Sequence, residues 1–303
     1  MRITLGGDLG SGKSSVGRRL SQSLGIRYVS AGQLFREIGQ ISNLDALATN
    51  LEAESNTDID AQVDQRTKDL DRDLPDFIID SRMGWHFVHD AVRVYLSVRP
   101  ATAARRILQD ATRDTETYAD FDSAMIMLRR RRESERKRYR TLYDVDIEDR
   151  ANYDLWLITD DANLDDICRI ILAFIEGRTR HANWIPKARL VPLIGLGEPA
   201  LAKLVASPGL AGDFELPLVV SQNFGLFRNG ADAMISALKY ETALIPYRPS
   251  ASPALPASAD LNWARTQVSD SDLRAWEAAF ATPLSIRSEI FGDESPRKLS
   301  QHG

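Results

Sequence analysis

Gly7 is followed, after four residues, by Gly12-Lys13-Ser14. That spacing, G-x-x-x-x-G-K-[ST], makes a phosphate cradle when a strand precedes it and a helix follows. Each residue type has a task. Glycines let backbone N–H groups converge on an anion with no side chain in the way. The N-terminus of the helix adds the positive end of its dipole. Lys13 is placed to reach the β- and γ-phosphates, and Ser14 to offer a hydroxyl to Mg²⁺. The motif specifies a nucleoside triphosphate and a magnesium ion, and leaves the reaction open.

The arginines narrow the reaction. Arg36 lies in SAGQLFR, Arg82 in DSRMGW, and RRRRESERKRYR spans residues 129–140. Moving a phosphoryl group between two anions requires cations around both and a cover that excludes water. Arginines dispersed in this way suit a kinase acting on a small molecule that already carries a phosphate. No Asn-Lys-x-Asp guanine motif is present. Glu133 and Glu135 interrupt the basic run, and Asp144, Asp146, Glu148 and Asp149 follow it. That pattern fits a lid with internal ion pairs better than a nucleic-acid arm. Asp60 and Asp64, four apart, share one helix face, where surface charge and a site role are equally open. His86 and His89 have no partners at ligand spacing and read as structural.

Elements must position these groups. Ile3–Gly6, Arg27–Val29, Asp76–Asp80, Ala91–Val98 and Tyr153–Thr159 read as strands. Lys13–Leu24 carries Val16, Leu20 and Leu24 at helical spacing, and two or three polar helices fill 31–73. Pro100 is placed to open a helix. Tyr118–Arg140 reads as a long helix, and Leu164–Glu176 as a closing amphipathic one. Strands separated by helices imply an α/β fold, a parallel sheet covered on both faces. Trp85 is expected in the core beneath the acceptor site, and Tyr139 and Tyr143 at the hinge of the lid.

The 303 residues are 43% apolar and 27% charged, with a net charge of −5. Such a chain supports a sizeable core and argues against a general nucleic-acid binder. Cys168 is the sole cysteine and sits in an apolar run, which excludes a disulfide framework and predicts an inert buried thiol. No run of about 18 apolar residues suggests a membrane span. The chain enters a strand at once, leaving no room for a signal peptide, so a cytoplasmic protein is expected.

MRITLGGDLGSGKSSVGRRLSQSLGIRYVSAGQLFRE, IDAQVDQR, IIDSRMGWHFV and RRESERKRYRTLYDVDIEDRANYDLWLIT together resemble the archaeal-type cytidylate kinases. The resemblance covers about residues 1–177. It implies a P-loop nucleoside monophosphate kinase fold and transfer from ATP to CMP or dCMP, with Mg²⁺. It implies that Gly7, Gly10, Ser11, Gly12, Lys13, Ser14 and Ser15 hold the ATP phosphates, with Ser14 on the metal. Ser30, Gly32, Arg36 and Arg82 match the acceptor side, and Asp60 and Asp64 lie near the acceptor nucleoside. Arg132, Arg136 and Arg138 match the lid, where they neutralise the transferring group. Asp80-Ser81-Arg82 stands where the family usually has Glu-Gly-Arg, and Asp8-Leu9 replaces a Pro-Pro-like pair. Ser81 leaves room for a modified cytosine nucleotide or another small acceptor. A P-loop regulatory protein that senses ATP is the alternative of a different class.

The texture changes near Gly177. Residues 178–187 read as a linker, 188–249 as a small α/β domain, and 250–303 as a proline-rich linker, a short helix and a disordered tail. The stretch from IPKAR to LIPYRP resembles a ParB/sulfiredoxin-type domain. Gly230-Ala231-Asp232 stands where active members carry a basic cluster, so a structural, partner-binding or DNA-binding role is expected there. The sequence leaves the oligomeric state open, with a monomer compatible with this fold.

Overall fold

A computed structural model describes residues 1–34, 58–110, 118–186, 190–192, 218–221, 224–227, 244–249, 268–280 and 284–291. The chain forms two compact units, Met1–Ala182 and Asn183–Gly303.

In the first unit, β1 (Arg2–Gly7) runs into the glycine loop and then α1 (Lys13–Leu24). Strand β2 (Arg27–Ser30), helix α2 (Asp58–Asp73), β3 (Phe77–Asp80), the short α3 (Gly84–Phe87) and β4 (Ala91–Ser97) follow. Then come α4 (Pro100–Gln109), α5 (Phe121–Tyr143), β5 (Leu155–Ile158) and α6 (Leu164–Ile175). The five strands are parallel, in the order β5-β4-β1-β3-β2. Ile3, Leu5, Ile78, Ile79, Val94, Leu96, Leu155 and Leu157 are fully buried, as a sheet covered on both faces requires. This is the doubly wound α/β fold expected of the sequence, and it sets the loops after β1 and β3 side by side.

Local signals explain the elements. Val16, Gly17 and Leu20 form the buried face of α1. Gly17 has no room for a side chain, because a Cβ there would lie 2.3 Å from the Tyr28 ring. Pro100 opens α4 as anticipated. Helix α5 starts three residues later than Tyr118 and ends three after Arg140. Asp120 caps it by accepting from the Ser123 N–H at 2.8 Å, and Asp144 closes it in the left-handed region at φ 54°. Cys168 is buried on α6, and burial pushes its thiol up to about 11, consistent with an inert side chain. His89 Nδ1 lies 2.7 Å from Asp71 at the surface, and His86 packs its ring against Trp85, Phe87 and Tyr143. Trp85 is half-buried, edge-on to Tyr153. Tyr139 and Tyr143 pack with Met83 and Ile147 at the end of α5.

In the second unit, β6 (Asn183–Pro186), within the segment read as a linker, pairs antiparallel with β10 (Leu244–Pro246). Strands β7 (Leu190–Pro192), β8 (Leu218–Ser221), β9 (Phe224–Phe227) and β11 (Arg248–Pro249) form a separate sheet in the order β11-β8-β9-β7. Helices α7 (Asp270–Phe280) and α8 (Ser285–Phe291) are joined by Arg287, which donates to Glu277 at 2.8 Å and Asp270 at 3.1 Å. Gly230-Ala231-Asp232 and residues 292–303 lie outside the described residues. Among the described residues, no helix is long and apolar enough to cross a membrane.

Candidate active site

The glycine loop leaves β1 at Gly7, whose φ of 136° and close approach to the Leu96 carbonyl, 2.2 Å from where a Cβ would stand, admit only glycine. Asp8 fixes the loop from beneath. Its carboxylate accepts from Tyr95 Oη at 3.0 Å, Ser97 Oγ at 3.2 Å and the Val98 N–H at 2.8 Å. The departure from the family's Pro-Pro-like pair therefore supplies an anchor to β4. Gly12 caps α1 in the left-handed region with no side-chain cap, which leaves the first-turn N–H groups to the cleft.

That cleft has a volume of about 1070 Å³. Gly10, Gly12, Lys13, Ser14 and Ser15 line one part; Ser30, Gly32, Asp60, Asp64 and Arg82 line the rest. The fold thus brings the expected donor-side and acceptor-side residues into one space. Arg36 lies outside the described residues, and Gly7 and Ser11 carry the backbone of the loop just behind.

Lys13 Nζ donates to the Gly7 and Asp8 carbonyls at 2.9 and 2.7 Å. Burial, reinforced by the Arg82 charge, lowers its pKa to about 7. Ser14 Oγ donates to Asp80 Oδ2 at 2.9 Å, and Tyr28 Oη reaches the same oxygen at 3.3 Å. Asp80, which ends β3, is a site residue that the sequence reading passed over. An acid closing an apolar strand next to the glycine-loop strand was the available signal.

The wall that carries Arg82, Asp60 and Asp64 is strongly charged. Arg82 Nε donates to Glu135 Oε2 at 2.8 Å, while its Nη1 donates to the Gly7 carbonyl. Arg131 Nε donates to Glu135 Oε1 at 3.2 Å. Burial favours a neutral Glu135, but Arg82 and Arg131 outweigh it and hold the carboxyl down at about 2. Asp60 and Asp64, open between surface and site in the sequence, are both buried on the cleft wall. Asp60 pairs with Arg138 Nε at 2.8 Å, and both side chains are nearly sealed. Burial still pushes Asp60 up to about 6. Asp64 accepts from Tyr143 Oη and is also raised by burial.

The three arginines of α5 nominated from the sequence separate. Arg138 lines the large cleft together with Arg131, which the sequence reading did not single out. Arg132 and Arg136 instead line a smaller pocket of about 290 Å³ behind the loop. Arg132 donates to Glu148 at 2.6 Å and lies 3.5 Å from Asp8. Arg136 pairs with Asp146 at 3.1 Å. Two of the acids after the basic run, Asp146 and Glu148, are thus its partners, in keeping with the charge pattern. Beside the Gly10 carbonyl, Arg106 lines the cleft and donates to the Asp160 carbonyl at 2.8 Å and to Thr159.

A glycine loop with lysine and serine, facing a second set of buried arginines across one cleft of a doubly wound sheet, defines a P-loop phosphotransferase. The particular family follows from comparison with known proteins. The chain belongs to the cytidylate kinase-like family, whose model matches residues 2–161. It is 34% identical over 184 residues to "Cytidylate kinase" of Sulfolobus acidocaldarius, covering 60% of this chain and 98% of that protein. It is 32% identical over 178 residues to "Cytidylate kinase" of Methanosphaera stadtmanae, covering 59% and 99%. Among solved structures, shikimate kinase from Bacteroides thetaiotaomicron aligns with 58% of this chain and 98% of its own, at a TM-score of 0.42 and 14% identity. At that distance it bears on neither substrate nor mechanism.

Proposed function

We propose that this chain transfers the terminal phosphoryl group of ATP to CMP, giving ADP and CDP, with dCMP as a second acceptor. The observation that supports this most directly is that Lys13 and Arg82, which both line the cleft, meet on the Gly7 carbonyl behind it. An oxygen of the CMP phosphate attacks the γ-phosphorus, a new P–O bond forms, and the bond to the β-phosphate oxygen breaks with ADP as leaving group. No covalent enzyme intermediate is needed, because positioning and charge carry most of this chemistry.

Lys13, Ser11, Ser15 and the loop N–H groups hold the triphosphate. Arg82 and Arg36 hold the acceptor phosphate, and Arg131 and Arg138 add positive charge along the same wall. Arg132 and Arg136 act at one remove, tying α5 to the loop and to the 146–148 segment. The Ser14 hydroxyl and the Asp80 carboxylate, 2.9 Å apart, are hard oxygen donors suited to Mg²⁺. When bound, the ion offsets charge on the β- and γ-phosphates. Asp60 and Asp64 face the acceptor nucleoside. A carboxylate accepts from the exocyclic amino group of cytosine, which uracil lacks. Neither a modified-cytidylate kinase nor an ATP sensor is favoured by the family match.

The test is an acceptor screen that follows ADP release across all nucleoside and deoxynucleoside monophosphates, with 5-substituted cytidylates included. CMP and dCMP should lead. Absence of acceptor-dependent ADP with any pyrimidine monophosphate would overturn the reading.

A further inference from the structure

Glu135 is, among the described residues, the one acid that lines both the large cleft and the smaller pocket behind the loop. It sits on α5 and is 6% exposed. Both of its oxygens are engaged by protein: Oε2 by Arg82 Nε at 2.8 Å and Oε1 by Arg131 Nε at 3.2 Å. A buried carboxylate aimed into a site for two anionic substrates repels them, so contact with substrate is not its use. Its geometry indicates another. Arg82 is held at two points, by Glu135 through Nε and by the Gly7 carbonyl through Nη1. Its Nη2 makes no hydrogen bond among the described residues, and the side chain lines the cleft. A guanidinium fixed at two corners presents its third in one direction. Without the carboxylate, Arg82 and Arg131 would lose the counter-ion they share.

We propose that Glu135 is a positioning residue, clamping Arg82 and Arg131 in the orientation that grips the acceptor phosphate. This rests on the acceptor reading of the cleft given above. The clamp also fastens α5 to the loop, through Arg82 and Gly7, beside the second link from Arg132 to Asp8.

The experiment is a double-mutant cycle on steady-state kinetics with Glu135→Gln, Arg82→Ala and the pair. Glu135→Gln should raise KM for CMP by on the order of tenfold and leave KM for ATP within about twofold, because the residue acts through Arg82. In the Arg82→Ala background the same change should cost clearly less than in the wild type, the remainder acting through Arg131. Glu135→Asp, which keeps the charge on a shorter arm, should recover part of the loss. Equal rises in KM for both substrates, or full additivity with Arg82→Ala, would overturn the proposal. A second readout does not depend on turnover. The Arg82 Nε–H resonance in ¹⁵N NMR, assigned by its loss in Arg82→Ala, should resist solvent exchange in the wild type and lose that protection in Glu135→Gln. If the wild type turns over no CMP, the acceptor reading fails, and this resonance still decides the clamp: unchanged protection in Glu135→Gln refutes it.

Discussion

ATP binding should take up a proton above neutral pH, and Lys13 is the reason. Its ammonium is buried against the Gly7 and Asp8 carbonyls, and burial together with Arg82 brings its pKa from 10.5 down to about 7. A bound triphosphate surrounds the same nitrogen with negative charge and restores the protonated form. At pH 8 most of Lys13 is neutral in the free protein, so binding should take up a large part of a proton per ATP. The sign is fixed. A lowered pKa means the cation is present below about pH 7 and lost as pH rises, so affinity for ATP should fall about tenfold per pH unit above 8. The phosphates contribute little there, since their last proton leaves near pH 6, as in phosphorylated side chains, where it leaves at about 6. Isothermal titration calorimetry in buffers of different ionisation enthalpy measures the uptake directly. Lys13→Arg, charged at every working pH, should abolish it. No uptake by the wild type at pH 8, or equal uptake by Lys13→Arg, would refute the reasoning.

Other outcomes follow from the same geometry. Ser14→Ala and Asp80→Asn should each raise the Mg²⁺ concentration for half-maximal rate by on the order of tenfold, read by Mg²⁺ titration at fixed ATP. Asp60 is charged above about pH 6 and neutral below it, so kcat/KM for CMP should decline as pH falls through 6. Asp60→Asn should remove its share of that limb, leaving the part set by the CMP phosphate itself, and narrow the preference for CMP over UMP, as pH-rate profiles with both acceptors would show. Gly17→Ala should destabilise the protein by about 1–3 kcal/mol, since its Cβ meets the Tyr28 ring. Thermal denaturation checks this, and Tyr28→Ala in the same chain should recover part of the loss.

Much of the first unit was legible because its signals are local. The glycine loop, Pro100 and the apolar strands announce themselves within a few residues, and the α1 boundaries, Lys13–Leu24, match the reading. The arginines of α5 show what is not local. Neighbouring residues on a helix point about 100° apart. Choosing Arg132 rather than Arg131 is therefore a question of rotational phase, which the basic run alone does not set. Ala124, Leu128 and Tyr139 set it by packing inward, and they carry Glu135 and Arg138 inward with them. A phase drawn from those three apolar positions would have selected Arg131 and exposed the importance of Glu135. Asp80 was hidden differently. It ends a strand, and its partner Ser14 is 66 residues away, brought beside it by the parallel pairing of β1 with β3.

The central claim is transfer from one anion to another across a single cleft. The most direct test uses ATP labelled in the γ-phosphate, CMP as acceptor, and separation of the products at short times. The label should appear in CDP, at the rate at which ADP is released, and Lys13→Ala should abolish both. Label released as inorganic phosphate, or ADP formed at the same rate without CMP, would contradict the account.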